Sequence, residues 1–170
     1  ADGVTETFFD GSVLRHFFGA RQRMLLIGAG QLAVAISELA QALDFEVIVT
    51  DPRKQMLELW EGPEVTLLGG MPDDVIRELG VDAQTAIITL SHDPRIDDMA
   101  LMEALTEEAW YVGALGSQKT TAKRLERLRL LELSESEISR LHAPVGLSIG
   151  SKTPVEIAVA VMAELIQVRH

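Results

Sequence analysis

Arg23-Met24-Leu25-Leu26-Ile27-Gly28-Ala29-Gly30-Gln31-Leu32-Ala33 is the stretch that decides how this chain folds. The apolar run from Met24 to Ile27 predicts a buried strand. Gly28 permits a tight turn, and Gly30 has no side chain to hold a pyrophosphate off the backbone. Ala33 is small enough to let the following helix lie close on the strand. The start of that helix offers free N–H groups and a positive dipole end to an anion. A second strand, Glu46-Val47-Ile48-Val49-Thr50, ends at Asp51, 23 residues beyond Gly28. An acid at about that distance binds a ribose hydroxyl in dinucleotide folds. Strand, turn, helix, strand and terminal acid in this order predict a nucleotide-binding α/β architecture.

Outward from this unit, strands alternate with helices. Leu32 to Leu43 reads as a helix, Lys54 to Trp60 as a short one, and Val65 to Leu68 as a third strand. A helix over Pro72 to Leu79 leads to a fourth strand, Thr85 to Leu90, apolar enough to be covered on both faces. A helix over Arg95 to Glu107 and a fifth strand over Trp110 to Leu115 follow. Gln118 to Leu131 is a basic helix, and Ser134 opens another with Glu137 placed for a capping box. Leu141 to Ile149 is irregular, with room for a short strand. The last helix starts at Thr153-Pro154 and is apolar on nearly every face to Ile166, which predicts burial against a sheet. The expectation is a doubly wound, mostly parallel, Rossmann-like sheet of order 3-2-1-4-5, with helices on both faces.

At 170 residues the chain has the length of one domain. Residues 1–22 read as a lead-in or remnant linker, carrying Phe8, Phe9, Phe17 and Phe18, and 23–170 as the domain. A net charge of −11 argues against a nucleic-acid partner. The absence of cysteine rules out disulfides, zinc thiolates and a thiol nucleophile within this sequence. Ala1 to Asp10 is acidic and polar, unlike a secretory signal. The longest apolar run, Ile157 to Ala163, is too short to span a bilayer. A cytoplasmic protein without a membrane partner is expected.

Ligands in such sheets gather at the carboxyl ends of the strands. The loops to read are therefore Gly28 to Leu32, Asp51 to Arg53, Ser91 to Pro94 and Gly113 to Thr120. Gly113, Gly116, Ser117 and Lys119 form one candidate anion loop, and Gly150, Lys152 and Thr153 a second. The bland alternative is that Ser117 and Thr153 are helix caps and the lysines are solvated. Ser91, His92 and Asp93 follow a buried strand. His92 is a candidate proton donor with Asp93 as its orienting acid; alternatively Asp93 caps the helix at Pro94. Gln31 and Ala29 complete the first loop, and Arg53 stands where it could pair with a 2′-phosphate. No metal-ligand pattern is present. Asp97-Asp98 and the basic residues Lys119, Lys123, Arg124, Arg127 and Arg129 read as solvated surface.

Several segments resemble the C-terminal Rossmann-like domain of the xanthine dehydrogenase accessory factor family (XdhC/CoxI-like). They are Leu26 to Gly30, Leu90 to Asp93, Tyr111 to Ser117, Lys123-Arg124-Leu125, Leu141 to Gly150 and Thr153 to Ala158. The resemblance covers about residues 23 to 168. It implies an accessory, chaperone-like protein that binds molybdenum cofactor (molybdopterin or its dinucleotide). It also implies a molybdenum hydroxylase client such as xanthine dehydrogenase, and a cofactor-sulfurating enzyme as a further partner. Gln31 stands where family members often carry His. The cysteine-bearing N-terminal domain of full-length members has no counterpart here, which implies a fragment or a single-domain relative. Two other readings stay open at this stage: an NAD(P)-dependent oxidoreductase using His92 and Asp93, and a nucleotide-sensing regulatory domain. So does the choice between a monomer and a homodimer.

Overall fold

The computed structural model describes residues 21–170; the phenylalanine pairs of the lead-in lie outside them. Six strands form one sheet: β1 (Arg23–Ile27), β2 (Glu46–Thr50), β3 (Thr66–Leu68), β4 (Thr85–Thr89), β5 (Tyr111–Ala114) and β6 (Leu141–His142). The helices are α1 (Gln31–Ala42), α2 (Lys54–Glu58), α3 (Pro72–Leu79), α4 (Pro94–Ala104), α5 (Gln118–Leu130), α6 (Glu135–Ile138) and α7 (Pro154–Arg169). The order is β3-β2-β1-β4-β5-β6, and every pairing is parallel. This contains the expected 3-2-1-4-5 and adds β6. The addition rests on two residues, Leu141 and His142, set in register beside Val112 and Gly113. Two residues are too few to give a strand periodicity in sequence.

Alternation along the strands sends side chains to both faces of the sheet. Met24 and Leu26 face α1 and α7, with Ile36, Val161 and Leu165 closing that core. Leu25 and Ile27 face α3, α4 and α5, with Ile76, Leu101 and Leu128 on the other side. All four β1 residues from Met24 to Ile27 are fully buried. Burying each such side chain contributes roughly 1.5–3 kcal/mol. That is why a continuous apolar run, and not an alternating one, marks the central strand.

The last helix differs from expectation. It buries Ala158, Ala160, Val161, Met162 and Leu165, but Val155, Val159, Ile166 and Val168 are exposed. It packs against α1 and lies across one face of the sheet, so only one side of it reaches the core. Among the described residues, no helix is long and apolar enough to cross a membrane.

Candidate functional site

The glycine turn is built by two glycines with different duties. Gly28 has φ +115°, and a Cβ there would meet the Ser91 backbone at 2.8 Å. Its lack of a side chain is thus required by the turn and by the neighbouring β4 loop. Gly30 is the N-cap of α1, with φ −93° and no side-chain cap. A Cβ there would meet only the tip of Met56, at 3.9 Å. Among the described residues, nothing in the packing demands a glycine at that position. The free space lies at the start of a 12-residue helix, where unpaired N–H groups point outward.

A cleft of about 720 Å³ opens at this point. Gly30 and Gln31 line one wall, Gly116 and Ser117 another, and Lys152 a third. His92 also lines it. The starts of α1, α4, α5 and α7 all contribute to the walls, through Gln31, Pro94, Ser117 and Pro154. The cleft lies at the carboxyl ends of β1, β4 and β5, lined by Gly30, His92 and Gly116. The volume falls within the range of small-molecule sites.

The floor holds two charged residues that sequence reasoning placed on the surface. Asp97 and Arg124 are 2% and 5% exposed. Asp97 accepts the Ser91 hydroxyl at 2.6 Å and the Ser91 N–H at 3.2 Å. Burial pushes its carboxyl above the usual range, against the pull of those hydrogen bonds and of Arg124. Arg124 donates to the Leu115 carbonyl at 3.2 Å and to Asp98 at 3.3 Å, and stands 3.8 Å from Asp97. Asp98 also pairs with Arg127 at 2.5 Å. Adjacent acids do diverge on a helix, but here one turns to the β4 loop and the other to α5. The clue was the stripe Thr121, Arg124, Leu128, whose helical spacing puts Arg124 on the buried side of α5. The exposed part of the basic helix is narrower: Lys119, Lys123 and Arg129.

Other candidates have internal partners. Asp93 caps α4, accepting the Arg95 N–H at 2.9 Å and pairing with the Arg95 guanidinium at 3.0 Å. Its carboxylate is thus spent on the helix start and on Arg95. Among the described residues, Asp93 makes no hydrogen bond to the His92 ring. His92 adopts φ +65°, a left-handed backbone that is unusual for a residue with a side chain. Ser117 accepts the Thr120 N–H and Thr153 the Glu156 N–H, each within a capping box. The second anion loop is also occupied: the Glu156 carboxylate accepts the N–H groups of Lys152 at 2.9 Å and Thr153 at 3.2 Å. Those amides, which were to hold an anion, already hold one. Gly113 is packed, since a Cβ would meet Val145 at 2.8 Å. Gly150 has φ +76° and serves a turn. Neither it nor Lys119 lines the cleft, and the same holds for Gly28, Ala29, Ser91, Asp93 and Thr153.

Asp51 is fully buried. One oxygen accepts the Arg53 N–H and Nε, the other the Ala29 N–H and Arg53 Nη2, all at 2.9 Å. Burial works against its charge. The Arg53 side chain, helped by the two backbone N–H groups, wins and holds the carboxyl below the usual range.

The fold and the cleft together define a Rossmann-type domain with a crevice at its switch point. Residues 24–165 match the XdhC Rossmann domain family, and the chain belongs to that family. It is 34% identical over 162 residues, 94% of its length, to the Escherichia coli K12 protein YqeB. It is 31% identical over 150 residues, 88% of its length, to a probable xanthine dehydrogenase subunit from Bacillus subtilis 168. It is 36% identical over 89 residues, 52% of its length, to the molybdenum cofactor insertion chaperone PaoD of Escherichia coli K12. The chain spans 29%, 43% and 28% of those proteins, respectively. The crystal structure of a xanthine dehydrogenase from Bacillus halodurans superposes with a TM-score of 0.76 at 28% identity, over 89% of this chain and 44% of that one.

Proposed function

We propose that this domain is the cofactor-handling part of an accessory factor that receives molybdenum cofactor and supports maturation of a molybdenum hydroxylase. One observation carries the reading: Gly30 and Ser117 face a single cleft, and Gly30 is a glycine that packing among the described residues does not require. The space over the start of α1 suits a phosphate, and the depth beyond it suits a compact heterocycle. Gln31 and the residues after it offer helix-start N–H groups, while Lys152 adds positive charge at the rim. Arg124, set in the floor, orients polar groups of the cargo.

Family membership and the relative named as a cofactor insertion chaperone support the same reading. The client hydroxylase, a cofactor-sulfurating partner and a cytoplasmic location belong to this proposal. The test is capture. Protein purified from a cofactor-producing host is denatured and oxidised, and released pterin is read by fluorescence. Wild type should release pterin, and Gly30→Val should not while its circular dichroism stays native. Pterin-free wild type, together with no rise in the activity of a co-expressed hydroxylase, would overturn the proposal.

A further inference from the structure

The acid at the end of β2 is the usual partner of an adenosine ribose in this topology. For that task its carboxylate needs lone pairs that face the crevice. A carboxylate has about four such positions. In Asp51 all four are used, three of them by Arg53 and one by the Ala29 N–H. No surface of Asp51 is exposed. The Arg53 guanidinium then continues to the Ser91 carbonyl at 3.5 Å. It spans from the end of β2 to the loop after β4, alongside the glycine turn.

We propose that Arg53 is a latch that closes the ribose position, so that the domain selects phosphate-bearing ligands that do not present an adenosine ribose. The placement of the cleft supports this: its walls run from Gly30 toward α5 and α7, and neither Asp51 nor Arg53 is among them. A ribose diol would have to displace two charge-assisted hydrogen bonds from the guanidinium, and neutral hydroxyls are weaker donors than the group they would replace. A 2′-phosphate fares no better, because the carboxylate of Asp51 already occupies the Nε and Nη2 edge of Arg53. The latch is reversible in principle, since the Arg53 side chain is 32% exposed and only its inner edge is fixed. The inference rests on the reading of the cleft as a phosphate site and specifies which phosphates enter it.

The experiment is calorimetric titration with ADP-ribose and with NAD+. Wild type should bind both more weakly than about 1 mM. Arg53→Ala should gain at least about tenfold in affinity for ADP-ribose, and adding Asp51→Asn to it should cancel the gain. Arg53→Lys, which cannot make the two-pronged contact, provides a milder opening should the alanine variant fold poorly, and should gain in the same direction. Micromolar binding of ADP-ribose by wild type that Asp51→Asn weakens would overturn the proposal. So would no gain in either folded Arg53 variant. Pterin capture by wild type is scored separately. Capture lost with the Arg53 gain present removes the cleft reading and leaves the latch; capture present with no gain does the reverse.

Discussion

The carboxylate of Asp97 accepts both the hydroxyl and the N–H of Ser91, at 2.6 and 3.2 Å, and so ties the loop after β4 to the first turn of α4. The same loop presents His92 to the cleft and packs against Gly28. One buried acid therefore fixes the spacing between the glycine turn and the cleft floor.

Replacing Asp97 separates its charge from its geometry. Its native carboxyl titrates above the unfolded value, with burial as the main cause. The native state then holds the proton more tightly than the unfolded chain. The stabilising contribution is full below the unfolded value and declines as pH rises through the native one. Asp97→Asn keeps an acceptor for Ser91 and should flatten this part of the stability profile above about pH 4. Asp97→Ala leaves the Ser91 N–H unpaired in a buried place, while the hydroxyl keeps the Asp93 carbonyl at 3.2 Å, and should cost about 1–3 kcal/mol. Chemical denaturation across pH measures both, and parallel wild-type and Asn profiles would show that the carboxyl does not titrate as argued.

Asp51 should behave with the opposite sign. Its native carboxyl is held down by Arg53 and by two N–H groups, despite burial. The stabilisation is present above the unfolded carboxylate value of about 4 and is lost as pH falls through the lower native value. Asp51→Asn should be less stable than wild type by roughly 1–3 kcal/mol at neutral pH. The gap should close on acidification. A gap of constant size down to the acid transition would mean that charge contributes nothing there.

The two glycines of the turn should part company. Gly28→Ala puts a Cβ 2.8 Å from the Ser91 backbone at φ +115°, where neither neighbour can yield cheaply. It should lower stability by at least about 1–3 kcal/mol. Gly30→Ala has 3.9 Å of clearance and an extended backbone, and should melt within about 0.5 kcal/mol of wild type. Equal destabilisation by the two would place Gly30 in the packing and out of the ligand site.

Much of this could be read from sequence because the signals were local. The apolar run of β1, the turn glycines and the prolines at the starts of α3, α4 and α7 each act within a few residues. The parallel order followed from strand–helix alternation. The interactions that local sequence does not carry are long-range. Arg124 looks solvated beside Lys123, and only its meeting with Asp97 and Asp98, 26 residues or more away, buries it. Nothing local shows that the Glu156 carboxylate occupies the Lys152 and Thr153 amides, which in sequence read as a candidate anion loop. Asp51 reads as the acid ending the second strand and directly follows β2 in the structure. Nothing local reveals that Arg53 would use up its lone pairs.

Stability and ligand binding should also separate at the mouth of α7. The Thr153 hydroxyl caps the helix, accepting the Glu156 N–H at 3.2 Å, and does not line the cleft. Thr153→Ala should cost about 0.5–2 kcal/mol of stability and leave pterin capture unchanged in the fraction that is folded. Lys152 lines the cleft, and its ammonium makes no ion pair among the described residues. Lys152→Ala should therefore leave the melting curve nearly unmoved. It should weaken an anionic ligand by roughly 0.2–1 kcal/mol, the scale of an exposed charge pair, with the loss shrinking as salt is added. The measurement is a pair of melts and a pair of capture assays at low and high ionic strength. Reduced capture in Thr153→Ala with an unchanged melt would move the anion contact from the rim lysine to the helix cap itself.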